Sequence, residues 1–577
     1  MNRKQRRAAA KHSQDGTTSA AQLFAQALWQ HEQNKPDEAA RLYKRVLALE
    51  PDHAEACNNL GTLLLALGKP NDAATWLERT LTLQPQLLDD FASIVATLVV
   101  VNPALAEGMR CASAAWPRRL SAQEALAPRG LAAISADPLL RHVLESTTVR
   151  DVDLERLLTS LRLDLLHIAR DATASDRAER DMLGFCCALA RQCFINEYVF
   201  ALTPDESAQV EALERALAEA VAAGSPIAPL RLAALAMYLP LASVPSARAL
   251  LERQWPKPLA DLLIQQVREP LEEVRLRDSI PRLTVIDDAV SVLVRQQYEE
   301  NPYPRWVHAA KGAQTTIDDH LRHQFPTAAF HPLGKTSGLD ILVAGCGTGR
   351  HPIEVAARYA DARVLAVDLS LASLCYAKRM TPPALAARIE YAQGDILKLG
   401  AIGRTFDLID ASGVLHHMAD PFAGWRVLLS LLRADGVMRI GLYSALARRD
   451  VVAARAFAAE REFRPTADDI RRCRQDLIAS PLKAVARRSD FFSTSECRDL
   501  LFHVQERRLS IPEITTFLAE SALKFIGFEF DPTTLRHYRA QFAASGWSTA
   551  DLDRWHAIET AHPDTFAGMY QFWVQKS

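Results

Sequence analysis

Residues 339–351 read LDILVAGCGTGRH, an apolar run that ends in a glycine-rich bend. The run from Leu339 to Ala344 is typical of a buried strand. Glycines at 345, 347 and 349 allow the backbone to turn tightly directly after it. Because the helical stretch HPIEVAARYA follows at once, the passage predicts a strand, a tight turn and a crossover helix.

Further short runs rich in β-branched residues follow this passage, separated by helical stretches. They read RVLAVDLS, ARIEYAQGD, FDLIDASG and DGVMRIGLY. Strands joined by helical crossovers form a parallel sheet that winds right-handedly with helices on both faces. Two aromatic runs at 524–530 and 569–575 predict an antiparallel pair at the edge of the sheet. We therefore predict a Rossmann-like, seven-stranded α/β domain with a helical insertion at about 446–520.

Acidic residues stand at the ends of the second and third predicted strands. Asp368 lies 19 residues after Gly349, and Asp395 belongs to the sequence Gly394-Asp395-Ile396. Ligands of an open α/β sheet bind beyond the carboxyl ends of its strands, where an acidic side chain can accept hydrogen bonds from a ribose diol. This edge of the sheet is therefore the predicted nucleoside site.

The glycine pattern distinguishes between two classes of nucleotide. Dinucleotide sites use GxGxxG/A, in which the sixth residue is small so that helix and strand pack closely. The sixth residue counted from Gly345 is Arg350, which is bulky and charged. A hydride-transfer enzyme is therefore the third-ranked hypothesis, and a ligand without a pyrophosphate is favoured.

Residues 338–443, with the ordered motifs GCGTG, VD, GDI and FDLIDASGVLHHMADP, resemble the core of a class I S-adenosylmethionine-dependent methyltransferase. The resemblance implies S-adenosyl-L-methionine as cofactor. It places the glycine loop against the amino-acid part and ribose, Asp368 on the ribose hydroxyls, and Asp395 with Ile396 on the adenine. The predicted cofactor-binding residues are Tyr303, Gly345, Cys346, Gly347, Gly349, Asp368, Leu369, Asp395, Ile396 and Ser412. No metal site is predicted.

Two segments near this core contain candidates for the acceptor side. His416 and His417 follow the fourth strand, and a histidine there can take a proton near neutral pH or simply pack in the core. His417 is the catalytic candidate. In YEENPYPRW, residues 298–306, two prolines impose an extended path, so we expect this segment to border the pocket. Its aromatic residues are equally consistent with a linker pinned to the core.

The first part of the chain contains a repeat. Pro51 and Pro85 stand 34 residues apart, and each follows a helical stretch. Gly61 occupies a position where two antiparallel helices approach closely. The period resembles the tetratricopeptide repeat, at about 20–53 and 54–87. Because about three repeats are needed to bury a core, two must pack on neighbouring helices.

The remaining segments complete the predicted domain organisation. Residues 1–18 are predicted to be a basic, disordered tail, 19–87 two repeats, 88–290 an all-helical domain, and 291–577 the methyltransferase domain. Within the helical domain, residues 192–200 (QCFINEYVF) are consistent with a core-lining helix. The whole order is similar to bacterial proteins that fuse tetratricopeptide repeats to a methyltransferase, where QYEENPYPRW precedes the core and SDFFSTSECRDLLFHVQE follows it.

Composition excludes several classes of protein. The 577 residues are 49% apolar and 24% charged with a net charge of −2, which is typical of globular protein and gives no strong pull toward nucleic acid or membrane. No apolar run is long enough to span a bilayer. Nine cysteines show neither a disulfide framework nor a CxxC pair, so we expect a cytoplasmic location.

Together these patterns predict methyl transfer to an unidentified acceptor. Tetratricopeptide grooves commonly bind peptides, which favours a protein acceptor recruited by the repeat and helical region. The alternative is a non-catalytic adaptor whose methyltransferase fold binds cofactor without turnover. The segment 448–488 has 11 Lys/Arg against 6 Asp/Glu, consistent with a lid that steers an acidic acceptor or with a solvated helical face.

Overall fold

A computed structural model describes residues 19–84, 87, 88, 96, 99, 102–128, 130–171, 177–309, 313–530, 538 and 548–576. The predicted basic tail and Pro85 lie outside the described residues. These residues divide into two compact units, one within 1–165 and 177–189, the other within 166–176 and 190–577. The predicted domain limits stay predictions.

The N-terminal unit begins with two helical hairpins. Their helices are α1 (Ala20–Glu32), α2 (Pro36–Leu49), α3 (Ala54–Ala66) and α4 (Pro70–Leu83). Proline at the first position starts α2 and α4, where its missing N–H costs nothing. Gly61 on α3 lies against Leu77, where a Cβ would come within 2.7 Å of the leucine side chain. The predicted close approach of two helices is therefore confirmed in the second repeat.

Helices continue to residue 324. Their bounds are α5 (Pro103–Ala115), α6 (Ala122–Ala125), α7 (Ala132–Ser135), α8 (Pro138–Ser146), α9 (Val152–Asp171), α10 (Arg177–Ile195), α11 (Pro204–Ala222), α12 (Pro229–Ala236), α13 (Lys257–Leu263), α14 (Glu269–Leu276), α15 (Ala289–Glu300) and α16 (Ile317–Gln324). The predicted capping box of α11 is present, since Thr203 and Glu206 each accept a hydrogen bond from the other's backbone N–H.

The C-terminal part is built on one mixed sheet. Its strands are β1 (Asp340–Ala344), β2 (Arg363–Asp368), β3 (Ile389–Gln393), β4 (Phe406–Ser412), β5 (Leu432–Leu442), β6 (Leu523–Phe528) and β7 (Tyr570–Lys576). They lie in the order β3-β2-β1-β4-β5-β7-β6. The first five are parallel, and β7 runs antiparallel between β5 and β6. The predicted seven-stranded sheet with a late antiparallel pair is confirmed.

Helices cover both faces of this sheet and separate the last strands. Their bounds are α17 (Arg350–Arg358), α18 (Leu371–Met380), α19 (Pro421–Ser430), α20 (Arg449–Glu460), α21 (Ala467–Ile478), α22 (Thr494–Phe502), α23 (Ile511–Glu520) and α24 (Leu552–Ala561). Because side chains alternate along a strand, Phe572 on β7 packs in one core with Trp425, and Trp573 packs in the other with Trp306.

Two arginines of the basic insertion are buried and paired. Arg448 is 2% exposed and forms an ion pair with Glu506 at 2.9 Å. Arg474 is fully buried and donates to the carbonyls of Phe491 and Val199. Neither a steering lid nor a solvated face describes these two arginines, because burial with partners makes them part of the packing.

Residues 196–199 form a turn after α10, and this turn is hydrogen-bonded to the insertion. The helix predicted across 192–200 ends at Ile195, and Glu197 and Tyr198 have φ values of 55° and 59°. The Glu197 carboxylate accepts hydrogen bonds from the Ser495 backbone N–H at 2.6 Å and from Arg305 at 3.2 Å. The core-lining helix suggested for this segment therefore ends at Ile195, and the remaining residues form the turn.

No helix among the described residues is long and apolar enough to cross a membrane. The nine cysteines all lie in the described part, and none of them forms a disulfide.

His320 on α16 provides a pH-dependent test of the fold. Burial and the nearby Arg358 lower the pKa of His320 to about 4, and its Nε2 is buried without a hydrogen-bond partner among the described residues. A histidine whose pKa is lowered by folding takes up its proton more readily in the unfolded chain, so stability falls as the pH drops from about 6.5 to about 4.

Between about pH 7.5 and about pH 5, we expect the free energy of unfolding of His320→Phe to fall by about 1–2 kcal/mol less than that of the wild type. Urea unfolding at the two pH values measures this, with the exposed His323→Gln on the same helix as control. Identical pH dependence in the wild type and His320→Phe would contradict the assignment.

Candidate active site

A cavity of about 540 Å³ opens at the carboxyl ends of the parallel strands. Its walls come from the glycine loop after β1, the ends of β2, β3 and β4, the segment 288–304 and helix α22. Ten of the eleven predicted site residues line it: Tyr303, Gly345, Cys346, Gly347, Asp368, Leu369, Asp395, Ile396, Ser412 and His417. The structure therefore brings the predicted set together at one edge of the sheet.

The glycine loop has positive φ at each of its three glycines. The values are 72° at Gly345, 53° at Gly347 and 84° at Gly349. A Cβ on Gly345 would lie 2.4 Å from the Val414 side chain. Gly349, the one predicted residue outside the cavity lining, starts α17, and its Cβ would lie 2.3 Å from that of Ala377. Gly349 therefore allows close helix packing, while the other two glycines shape the cavity wall.

Asp368 ends β2 and holds the loop in place. One carboxylate oxygen accepts a hydrogen bond from the Gly347 backbone N–H at 2.8 Å, and the other accepts from Ser370 N–H at 2.8 Å. Burial raises the pKa of this carboxyl, while the two backbone hydrogen bonds oppose the shift. The side chain therefore links the glycine bend to the tip of the neighbouring strand.

Asp395 follows β3 and is 1% exposed. Its Oδ1 accepts a hydrogen bond from the Leu397 backbone N–H at 2.9 Å, and its own N–H donates to Thr284 at 2.7 Å. Its Oδ2 is buried and has no hydrogen-bond partner among the described residues. A buried acceptor without a partner is costly, so this oxygen is suited to a ligand that brings an N–H donor.

The segment 298–306 borders the cavity, which confirms that prediction. Tyr298, Tyr303 and Pro304 line it. Trp306 points elsewhere and donates from Nε1 to the Thr348 carbonyl at 3.1 Å, while Arg305 pairs with Glu197. The segment is thus both a cavity wall and a strap that is tied down on its far side.

His417 lies in a short turn after β4 and is 8% exposed. Its Nδ1 is 3.1 Å from the Gln505 carbonyl oxygen, an acceptor, so Nδ1 carries the proton and Nε2 carries a lone pair. Asp499 Oδ1 lies 3.9 Å from Nε2, beyond hydrogen-bond distance. His416 instead stacks on Tyr443 with ring centroids 3.7 Å apart, and burial beside His417 lowers its pKa well below the usual value.

Two residues that line the cavity, Asp499 and Tyr443, were not predicted from the sequence. Asp499 is on α22 and accepts a hydrogen bond from the Tyr298 hydroxyl at 2.6 Å. Burial and the neighbouring Asp499 raise the pKa of Tyr298. The available signal was an acidic residue directly before the apolar pair Leu500-Leu501 in RDLLF, since a carboxylate on a buried helix face requires a partner.

His417, Asp499 and His503 bring potential metal ligand atoms within 4.8 Å of one another. The Nδ1 of His503 accepts a hydrogen bond from the Gln505 N–H at 3.0 Å, so its Nε2 carries the proton and has no lone pair for a metal. The trio therefore offers two free ligand groups, and it does not form a three-ligand metal site.

The close contact between Gly347 and the strap at Tyr303 can be tested by measuring the free energy of unfolding of a variant. A Cβ on Gly347 would lie 2.8 Å from the Tyr303 carbonyl oxygen, whereas Gly403 has a similar φ of 66° and nothing within 4 Å. Both Gly→Ala changes carry the cost of a left-handed residue, of the order of 1 kcal/mol. We expect Gly347→Ala to cost about 1–3 kcal/mol more than Gly403→Ala in urea unfolding. Equal losses would contradict the contact.

Comparison with known proteins gives matches to both parts of the chain. Residues 341–436 match a methyltransferase domain model, and residues 30–98 match a tetratricopeptide repeat model. An uncharacterised protein of Synechococcus sp. is 32% identical over 134 residues, which are 22% of this chain and 32% of that protein. The magnesium-protoporphyrin O-methyltransferase of Rhodobacter capsulatus is 38% identical over 95 residues, 16% of this chain and 40% of that enzyme.

Among solved structures, PKMT2 from Rickettsia typhi is 15% identical with a TM-score of 0.36, covering 47% of this chain and 54% of that one. The chain spans only a third to two fifths of the length of the two curated relatives. The motif order, the sheet and the two family matches agree with one another. The chain therefore carries tetratricopeptide repeats near its N-terminus and a class I methyltransferase domain in its C-terminal half.

Proposed function

We propose that this chain is an S-adenosylmethionine-dependent methyltransferase. The observation that carries the proposal is the cavity in which a glycine bend meets two acidic strand ends, one of which has a buried oxygen without a partner. Open α/β sheets bind nucleosides at this edge. The methyltransferase family match and the relative named as a methyltransferase support the same function.

The residues present fit this cofactor. Asp368 lies where it can accept from ribose hydroxyls, and the free Oδ2 of Asp395 can accept from the adenine amine. Gly345 and Gly347 let Val414 and the strap approach the loop closely, and both glycines line the cavity where the amino-acid end would lie. The remaining predicted contacts, Tyr303, Cys346, Leu369, Ile396 and Ser412, line the same walls. When bound, S-adenosylmethionine supplies a methyl group activated by its sulfonium.

A dinucleotide cofactor fits less well. Arg350, at the sixth position of the glycine pattern, forms an ion pair with Glu354 at 2.9 Å on the first turns of α17. A dinucleotide site requires a small residue there so that the helix packs closely on the strand. The hydride-transfer hypothesis therefore remains the weaker one.

The chain's own part in the reaction is to exclude water, orient the acceptor and accept a proton. Val294, Val414 and Met418 provide apolar surface around the cavity. His417 Nε2 holds the lone pair that accepts a proton from the acceptor, and the Asp499 carboxylate 3.9 Å away stabilises the resulting positive charge. His417 is thus the proposed catalytic base.

We also propose that the acceptor is carried by, or is, a protein recruited through the repeats. Tetratricopeptide repeats bury their core by stacking and present a concave surface on which partners bind. A cytoplasmic location stays a prediction.

The test uses the full chain with S-adenosylmethionine labelled at its methyl group and a cell extract, which is then separated into proteins and small molecules. We expect label in the protein fraction and micromolar S-adenosylhomocysteine binding by calorimetry. Cofactor binding with label in neither fraction would support the adaptor alternative. Binding of NADH without S-adenosylmethionine binding would overturn the proposal.

A further inference from the structure

The charges around the cavity are strongly unbalanced. Its carboxylates are Asp288, Glu354, Asp368, Asp395, Asp420 and Asp499, and its only arginine or lysine among the described residues is Arg350. Arg350 is already paired with Glu354. Since cavities of one sign concentrate ligands of the opposite sign, this one disfavours an anionic acceptor.

Aromatic rings gather on the side where Asp499 lies. Tyr298, Tyr303 and Tyr443 line the cavity there. The rings of Tyr298 and Tyr303 are stacked with centroids 6.2 Å apart. Burial raises the pKa of all three phenols, with Asp499 among the added causes, so they stay neutral at physiological pH. Neutral aromatic faces attract cations. His416 and the Arg448 guanidinium already lie over the Tyr443 ring, so Tyr298 and Tyr303 are the rings that can attract a cationic ligand.

Two polar groups point into this aromatic wall. Asp499 is 3% exposed, and Tyr298 is its hydrogen-bond donor. His417 is more than nine-tenths buried, and its Nε2 forms no hydrogen bond within the described part of the chain. An acceptor nitrogen at the cavity wall can take a hydrogen bond from a ligand that has a donor hydrogen.

We infer that the methyl acceptor is an amine, which enters as an ammonium group and is held by Asp499 and the faces of Tyr298 and Tyr303. The inference rests on the proposed function and names the acceptor class of that same site. Nε2 of His417 takes one N–H proton, which leaves a nitrogen lone pair as the nucleophile. The imidazolium that forms faces the Asp499 carboxylate, so the total charge of the wall is unchanged by the transfer.

Other acceptors fit the same wall less well. A carboxylate or phosphate would be buried beside Asp499 with no free arginine or lysine facing it from the described lining residues. An alcohol or phenol could donate to His417, but it would leave the carboxylate without a cation. Only a cationic donor satisfies both groups.

The experiment uses the full chain saturated with S-adenosylhomocysteine and three probes of equal length: n-butylammonium, butan-1-ol and butyrate. Ligand-observed NMR titration measures the binding of each probe. We expect n-butylammonium to bind at least 10-fold more tightly than butan-1-ol, and butyrate to bind more weakly still. Asp499→Asn should abolish the preference for the cation while S-adenosylhomocysteine binding persists.

Equal or tighter binding of the alcohol or the carboxylate by the wild type would overturn the inference, and this result does not depend on how any variant folds. Failure of S-adenosylhomocysteine itself to bind would instead overturn the proposed function. As a second readout, extract whose amines have been acetylated beforehand should lose its methyl label. Full labelling of acetylated extract would also contradict an amine acceptor.

Discussion

Replacing Asp368 by alanine is expected to weaken the binding of S-adenosylhomocysteine at least 100-fold and to leave the sheet folded. The carboxylate is the one group at the end of β2 that can accept from two ribose hydroxyls, and charged hydrogen bonds contribute about 1.5–3 kcal/mol each. It also fixes the loop, because both of its oxygens already accept backbone N–H groups. Calorimetric titration measures the loss.

The matched control is Asp361→Asn, an exposed aspartate in a left-handed turn with φ of 51°, a conformation that asparagine also tolerates. The affinity of this variant for S-adenosylhomocysteine should equal that of the wild type. Unchanged binding in Asp368→Ala would refute the assignment of this carboxylate to the ribose. Circular dichroism and urea unfolding of the same protein separate lost binding from lost fold.

Replacing Arg439 by leucine is expected to cost about 3–5 kcal/mol of stability, because it removes the arginine shared by the buried Asp410 and the half-buried Glu529. Arg439 on β5 lies opposite Asp410 on β4, with Nη1 3.4 Å from that carboxylate. It also binds Glu529 at 2.6 Å. Although burial opposes the shift, His351 and Arg439 hold the pKa of Asp410 well below its usual value. Urea unfolding measures the loss.

The pH dependence gives this prediction its sign. In the wild type, the contribution of Asp410 is present above its unfolded pKa and is lost as the pH falls through the lower folded value. Without Arg439, the two carboxyls favour the protonated form. The stability difference between the variant and the wild type should therefore shrink as the pH falls from about 7 to about 4. Arg404→Leu, which breaks an exposed pair with Glu390, should cost less than about 1 kcal/mol. Equal losses in the two variants would contradict the buried network.

The sheet and the position of its site could be predicted because local patterns determine them. A buried strand followed by a glycine bend places the bend at the carboxyl edge, and every parallel strand then ends on that same edge. Asp368 and Asp395 were therefore identified without any knowledge of tertiary contacts. The late strands could be predicted for the same reason, since aromatic alternation at 523–528 and 570–576 is local.

The part of the cavity wall formed by Asp499 and Tyr443 could not be predicted in this way. Asp499 belongs to an insertion whose packing depends on contacts between residues far apart in sequence, such as its hydrogen bond with Tyr298. Nor does any local pattern show that Gly349 packs against Ala377 rather than lining the cavity, because a positive φ suits both roles. Phe491 and Phe492, which precede α22, pack around Arg474 in the core.

The turn at 196–199 has a consequence for how this protein can be divided. Through Glu197, this turn is bound both to the strap beside the glycine loop and to the start of α22, which carries Asp499. A fragment trimmed to the family match at 341–436 would lack the strap, the last two strands and the cavity-lining residues Tyr443 and Asp499. Even one that began at residue 291 would leave Arg305 and the Ser495 amide without their shared carboxylate. A fragment that keeps this support therefore has to begin before Glu197, far upstream of the family match.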